Sequence, residues 1–189
     1  RPVPLSSVVN LPFVVEDTGD AAAALSSMIA DGLMGDEFSD VKVLQIVVFE
    51  PNLVMARKPI TGPKDMVGSK VRTPDAIGAK VAAALGGAAV SIPATEIYQA
   101  FSTGLIDSTI TPYTSVQQFQ LQDVLTDILE VPLGSAAGVV FMNKAKYDSL
   151  DANGKAAIDA ISGEAGSRMF TAFTTELTKT AKALAVNRG

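Results

Sequence analysis

Residues 63–75 read P-K-D-M-V-G-S-K-V-R-T-P-D. An alanine-rich run follows, and then residues 90–113 read V-S-I-P-A-T-E-I-Y-Q-A-F-S-T-G-L-I-D-S-T-I-T-P-Y. Three short apolar runs of β character, Lys70 to Arg72, Ala88 to Ile92 and Leu105 to Thr111, alternate here with two helical runs. Strands alternating with helices of this length predict a parallel sheet built from right-handed crossovers. In such sheets a ligand sits beyond the carboxyl ends of the strands. Those ends carry Arg72 and Thr73, then Ser91, then Thr109, Thr111 and Tyr113, all polar, whereas the strand bodies are apolar.

Helices are marked on either side of these strands. Ile77, Val81 and Leu85 form one apolar face after Asp75, a predicted cap, and Gly86-Gly87 ends the run. A second helix carries Ile97, Ala100 and Phe101 and ends at Gly104. Upstream, Val41 to Phe49 is a β-branched strand that resumes at Leu53 to Ala56 after Glu50-Pro51-Asn52. Downstream, a glutamine-rich helix (S-V-Q-Q-F-Q-L-Q, from Ser115) leads into a second extended crossing, Ile128 to Met142, which should pair with the first. Two extended crossings around one αβ unit suit a two-lobed protein with a double-strand hinge.

The ends of the chain read differently. Pro2, Pro4 and Pro12 exclude a regular helix up to Val15, and a helix is predicted from an Asp20 cap to about Leu33, before Gly35. Near the other end, Ile158, Ile161, Ala165, Met169, Phe173, Leu177, Ala181 and Leu184 recur every three or four residues. One helix of roughly 35 residues would be about 50 Å long, enough to lie across both lobes. Gly163 and Gly166 are where it should bend or break.

Composition narrows the function. The 189 residues are 48% hydrophobic and 19% charged, which is a globular balance. A net charge of -5 and a pI near 4.7 argue against nucleic acid or an anionic membrane as partner. There is no cysteine and no histidine. Disulfides, thiolate catalysis and the commonest general base are thereby removed, so an enzyme is not expected and no catalytic residue, metal ligand or cofactor is assigned. Asp75 with Glu96 is the carboxylate pair nearest the strand ends; both read as helix-start residues. No apolar run approaches a membrane span. The chain opens on Arg1, which points to a processed or truncated product.

Arg72 is the residue on which a binding function turns. Its planar, permanently charged fork matches a carboxylate held by two parallel hydrogen bonds, and a local ion pair with Asp75 is the alternative. Asn52, Thr109, Thr111 and Tyr113 can add neutral hydrogen bonds, and so can Ser91.

Taken in order, P-x-D-M-V-G-S-K-V-R-T-P (Pro63 to Pro74), L-G-G-A-A-V-S-I-P (Leu85 to Pro93) and E-I-Y-Q-A-F-S-T-G-L-I-D (Glu96 to Asp107) resemble the solute-binding proteins of TRAP transporters, the DctP type. The opening R-P-V-P-L-S-S-V-V-N-L-P-F and the later V-V-F-M-N-K-A-K-Y-D-S-L fit the same family in the same order. The resemblance implies a periplasmic, two-lobed α/β binding protein (type II-like), with hinge strands and a long helix bridging the lobes. Such a protein closes on a small organic acid and delivers it to TRAP membrane permease subunits. The family's carboxylate-gripping arginine falls on Arg72. Where members read I-D-G-x-E-N-P this chain reads I-D-S-T-I-T-P, so a polar contact falls on Thr111, and a second arginine of many members falls on or near Asn52. That loss favours a monocarboxylate or 2-oxo acid over a ligand with two charged ends.

On this reading residues 1–50 are part of lobe I with the first hinge strand. Residues 51–130 are lobe II, a βαβαβ ligand-binding unit. Residues 131–189 are the second hinge strand, the return to lobe I and the bridging helix. The N-terminal part of the first lobe is expected to precede Arg1. A homodimer through the long helix is left open, and the alternative function is the ligand-sensing effector domain of a regulator or receptor.

Overall fold

A computed structural model describes residues 5–186, with side chains through residue 183. Pro2, Pro4 and the side chain of Leu184 lie outside the described residues. In chain order the strands are β1 (Val41–Val48), β2 (Leu53–Ala56), β3 (Lys70–Arg72), β4 (Ala88–Val90), β5 (Ser108–Thr111), β6 (Asp127–Leu129) and β7 (Ala137–Asn143). The helices are α1 (Thr18–Ala30), α2 (Ala76–Ala84), α3 (Ile97–Ser102), α4 (Thr114–Gln118), α5 (Lys144–Asp148), α6 (Ala152–Ala160) and α7 (Gly163–Val186). The chain divides into two compact units, Arg1–Glu50 with Ser135–Glu176, and Pro51–Gly134 with Leu177–Gly189.

In the first unit β1 and β7 pair antiparallel, from Val41↔Asn143 to Val48↔Ala137, with one register shift between Val43 and Gln45. The two extended crossings therefore do meet. Ala22 and Leu25 of α1 pack with Ile46 and Val48 of β1, joined by Val9 and Met34. Helix α1 starts one turn earlier than the predicted Asp20 cap. Asp17 is in an extended conformation, and its carboxylate accepts the Asp20 N–H at 2.7 Å. Asp20 then falls in the first turn, where its charge favours the helix dipole.

The predicted single terminal helix is two. The apolar period runs on unbroken through Ile158, Ile161 and Ala165, but α6 ends at Ala160 and α7 restarts at Gly163, whose φ is 71°. A side-chain amide holds the break: Gln45 Nε2 donates to the Ile161 carbonyl at 2.8 Å. Gly166 lets α7 come this close, since a Cβ there would lie 2.1 Å from the Ile161 oxygen. The buried Ser167 hydroxyl accepts the Ile46 N–H at 2.9 Å and so satisfies an edge amide of β1. The 24 residues of α7 span about 36 Å. Those up to Glu176 belong to the first unit and those from Leu177 to the second.

The second unit is a five-stranded sheet in the order β4-β3-β5-β2-β6. β3 runs parallel to β4 and β5, as the alternating strands and helices predict, but β2 is antiparallel to both β5 and β6. The sheet is mixed because β2 and β6 are pieces of the two crossings, not products of a helical crossover. The second crossing is itself interrupted by Pro132 and by Gly134 at φ 94°. β5 is shorter than expected, because Leu105 N–H bonds back to the Ala100 carbonyl as the closing turn of α3, with Gly104 at φ 72°. Side chains alternate across this sheet. Val54, Ala56, Val71 and Ile110 pack with Ala82 of α2 on one face. The register places Val90, Arg72, Thr109, Met55 and Ile128 in one row on the other face.

Candidate functional site

That row puts a charge among apolar neighbours. Arg72 is only 6% exposed. It ends β3 because Thr73 and Pro74 lead into α2, where Asp75 caps the helix by accepting the Gly78 N–H at 2.7 Å. Pro74 and Gly78 are matched, since a Cβ on Gly78 would come within 2.9 Å of Pro74 Cδ. The guanidinium donates its Nε–H to the Ile92 carbonyl at 3.1 Å, just past the end of β4. None of the ion pairs seen among the described residues includes it. Burial pulls its pKa below the ordinary arginine value, while the charge of Asp75 pushes it back up. An arginine still remains cationic at any physiological pH. A cation this deeply buried is costly unless an anion meets it.

The other expected residues collect at the same end of the sheet. Thr109 is the β5 partner of Arg72, fully buried, and its Oγ1 is enclosed without a hydrogen-bond partner. Such an unmet buried hydroxyl costs about 1–3 kcal/mol. Thr111 pairs with Leu53 across β5 and β2, so Asn52 is next along that edge. The Thr111 hydroxyl lies 2.6 Å from that of Ser115. Asn52 is held by the second crossing. Its N–H donates to the Gly134 carbonyl at 2.8 Å, its carbonyl accepts from Leu133 N–H at 2.9 Å, and its Nδ2 also reaches Gly134 O at 3.1 Å. Ser91 follows β4 and is exposed.

Tyr113 is placed differently. Its ring packs with Leu53, Met55, Val116 and Ala181, and its hydroxyl donates to Glu130 Oε1 at 2.5 Å. Lys182 of α7 donates to the other oxygen of Glu130 at 2.8 Å and lies 5.4 Å from the centre of the Tyr113 ring. Burial, and then the bond to Glu130 and its charge, push the phenol well above its ordinary pKa. Lys182 first and Tyr113 second hold the Glu130 carboxyl below the usual carboxylate range. Sequence reasoning missed Glu130, Lys182, Ser115 and the Ile92 carbonyl. Contacts spanning 17 and 52 residues of chain leave no spacing signal, and a backbone acceptor leaves none at all.

The family model for bacterial extracellular solute-binding proteins of family 7, DctP, matches residues 2–188. The chain is 27% identical over 168 residues to the outer membrane transporter protein TsaT of Comamonas testosteroni, covering 86% of this chain and 50% of that protein. It is 27% identical over 176 residues to the 2,3-diketo-L-gulonate-binding periplasmic protein YiaO of Escherichia coli, covering 86% and 51%. Among solved structures, a marine metagenome TRAP solute-binding protein specific for aromatic acid ligands, in complex with 3-hydroxybenzoate, superposes with a TM-score of 0.89. Its identity is 25%, over 100% of this chain and 61% of that one. A TRAP solute-binding protein from Rhodoferax ferrireducens, with copurified benzoate, gives a TM-score of 0.89 at 27% identity, over 97% and 59%. The chain thus spans about half the length of these curated relatives and about three fifths of the solved ones. No helix among the described residues is long and apolar enough to cross a membrane. With a family model matched almost from end to end and a mixed α/β fold shared with two-lobed TRAP solute-binding proteins, the chain belongs to the DctP family of bacterial extracellular solute-binding proteins.

Proposed function

We propose that this chain binds a small organic acid in the periplasm through a salt bridge from Arg72 and, as part of a solute-binding protein, delivers it to a TRAP-type permease without transforming it. The observation that carries the reading is a buried guanidinium at the carboxyl ends of β3, β4 and β5, in no ion pair seen among the described residues. A carboxylate is the partner its planar fork fits best. Thr109, Thr111 and Asn52 provide neutral groups along the same edge, with Ser91 and Tyr113 flanking them. The second unit acts as the ligand-binding lobe. Of its other cations, Arg57 pairs with Asp107 and Lys182 with Glu130. One unpaired positive fork favours an acid with one carboxylate. Benzoate and 3-hydroxybenzoate, held by two of the structural relatives, are the nearest precedents.

A thermal-shift panel of benzoate, 3-hydroxybenzoate, 2-oxo acids and dicarboxylates, each beside its neutral amide, tests the reading. A ligand at 100 times its Kd stabilises the folded state by about 2.7 kcal/mol. The monocarboxylates should raise the melting temperature and their amides should not. Equal shifts from acid and amide, or no shift from any acid, would overturn it.

A further inference from the structure

Tyr113 and Glu130 form a group that a direct ligand contact does not explain. Tyr113 stands two residues beyond Thr111, after Pro112, and heads α4. Its ring clusters with Leu53, the residue after Asn52. Its hydroxyl proton is committed to Glu130, which directly follows β6, the strand that flanks β2. Lys182 fixes the second oxygen of the same carboxylate. One carboxylate thus gathers the segment after β5, the segment after β6 and the last turns of α7; Thr111 ends β5, and Asn52 precedes β2, the strand between β5 and β6.

From this arrangement we infer that Glu130 is a positioning residue for the ligand edge. By holding the Tyr113 hydroxyl it sets where Thr111 and Asn52 stand relative to Arg72, and it touches no ligand itself. Tyr113 then serves the site as an anchored wall. The inference rests on the organic-acid reading above.

Calorimetric titration of benzoate into the wild type, Tyr113→Phe, Glu130→Ala, Glu130→Gln and Arg72→Ala tests it. Tyr113→Phe removes one oxygen and should weaken benzoate binding about tenfold, as should Glu130→Ala. Glu130→Gln keeps an acceptor for the phenol while losing the charge that pairs with Lys182, so it should bind within about threefold of wild type. A merely structural carboxylate would not separate Gln from Ala in this way, since both lose the ion pair. Wild-type affinity in both Tyr113→Phe and Glu130→Ala, with binding lost in Arg72→Ala, would overturn the positioning role alone. Gln as weak as Ala would also overturn it, by moving the effect to the Lys182 pair. A wild type that takes no benzoate, or an Arg72→Ala protein that binds as wild type, would bring down the organic-acid reading together with it.

Discussion

The two units arrange their buried polar side chains differently. In the first, several buried hydroxyls are stitches in the helices and their neighbours, while Ser135 Oγ and Thr171 Oγ1, like Thr109 Oγ1 of the second, have no hydrogen-bond partner among the described residues. Ser167 accepts from Ile46 N–H and donates to the Gly163 carbonyl, and Thr174 donates to Thr171 O. In the second, Arg72, Thr109, Thr111 and Asn52 are buried at one end of one sheet, and one of them is a charge. The sheets differ in the same sense. Two strands carry the first unit and five the second. Most of the exposed large apolar side chains, among them Phe13, Leu33, Phe141, Ile161, Met169 and Phe173, belong to the first unit. A sheet with both faces covered can carry a charge into a water-poor end, where an anionic partner is worth more to it than in water.

The comparison can be broken most forcefully in the two cores. Ile110→Ala in the second unit and Ile46→Ala in the first should each cost about 2–5 kcal/mol. Segment-resolved hydrogen exchange should show each loss mainly in its own unit, and only Ile110→Ala should weaken acid binding. Equal loss of protection in both units from either substitution would merge them into one body. Gly166→Ala should cost about 1–3 kcal/mol by forcing α7 off the Ile161 carbonyl. Its effect on urea unfolding should come with faster exchange at Ile46, whose N–H depends on Ser167.

Acid should separate the units more gently. Glu130 has a folded pKa below its unfolded value, and so does Asp107, where burial pushes up but the Lys70 N–H and the charges of Lys70 and Arg57 outweigh it. Their contribution to stability is present above the unfolded value of about 4 and is lost as pH falls through the folded values. The second unit should therefore lose exchange protection below about pH 4 mainly through these two carboxylates, with a smaller share from the exposed Asp65, while the first unit draws on the exposed Asp159. Glu130→Gln should flatten that loss, and an unchanged acid profile in this variant would count against the Lys182 and Tyr113 contacts. The smallest effects belong to the caps. Asp17→Ala and Asp75→Ala should each cost about 1 kcal/mol, measured by thermal unfolding, with only Asp75→Ala altering acid affinity through the field at Arg72.

Much of the second unit was readable from spacing. Asp75 as a cap, Gly86 and Gly104 as stops, and polar residues at three strand ends all follow from local chemistry, and local chemistry is what a sequence displays. Strand direction was less accessible, since the apolar runs of β2 and β6 look alike whether they run parallel or antiparallel to β5. The break before α7 was half visible. Gly163 marked a place to stop, yet the hydrogen bond from Gln45, 116 residues away, is what seats it. The hydroxyl of Tyr113 was legible as a polar group near the strand ends. Its commitment to Glu130 was not, because that depends on which strand β6 joins.

The most direct test of the account is the calorimetric affinity of Arg72→Ala for benzoate, with Arg72→Lys as the milder companion. Removing a charge-assisted contact from a buried partner typically costs about 2–5 kcal/mol, so binding should fall by about 30-fold or more while exchange protection of the second unit persists. An Arg72→Ala protein that still takes benzoate within about threefold of wild type would contradict the claim that this guanidinium grips the acid.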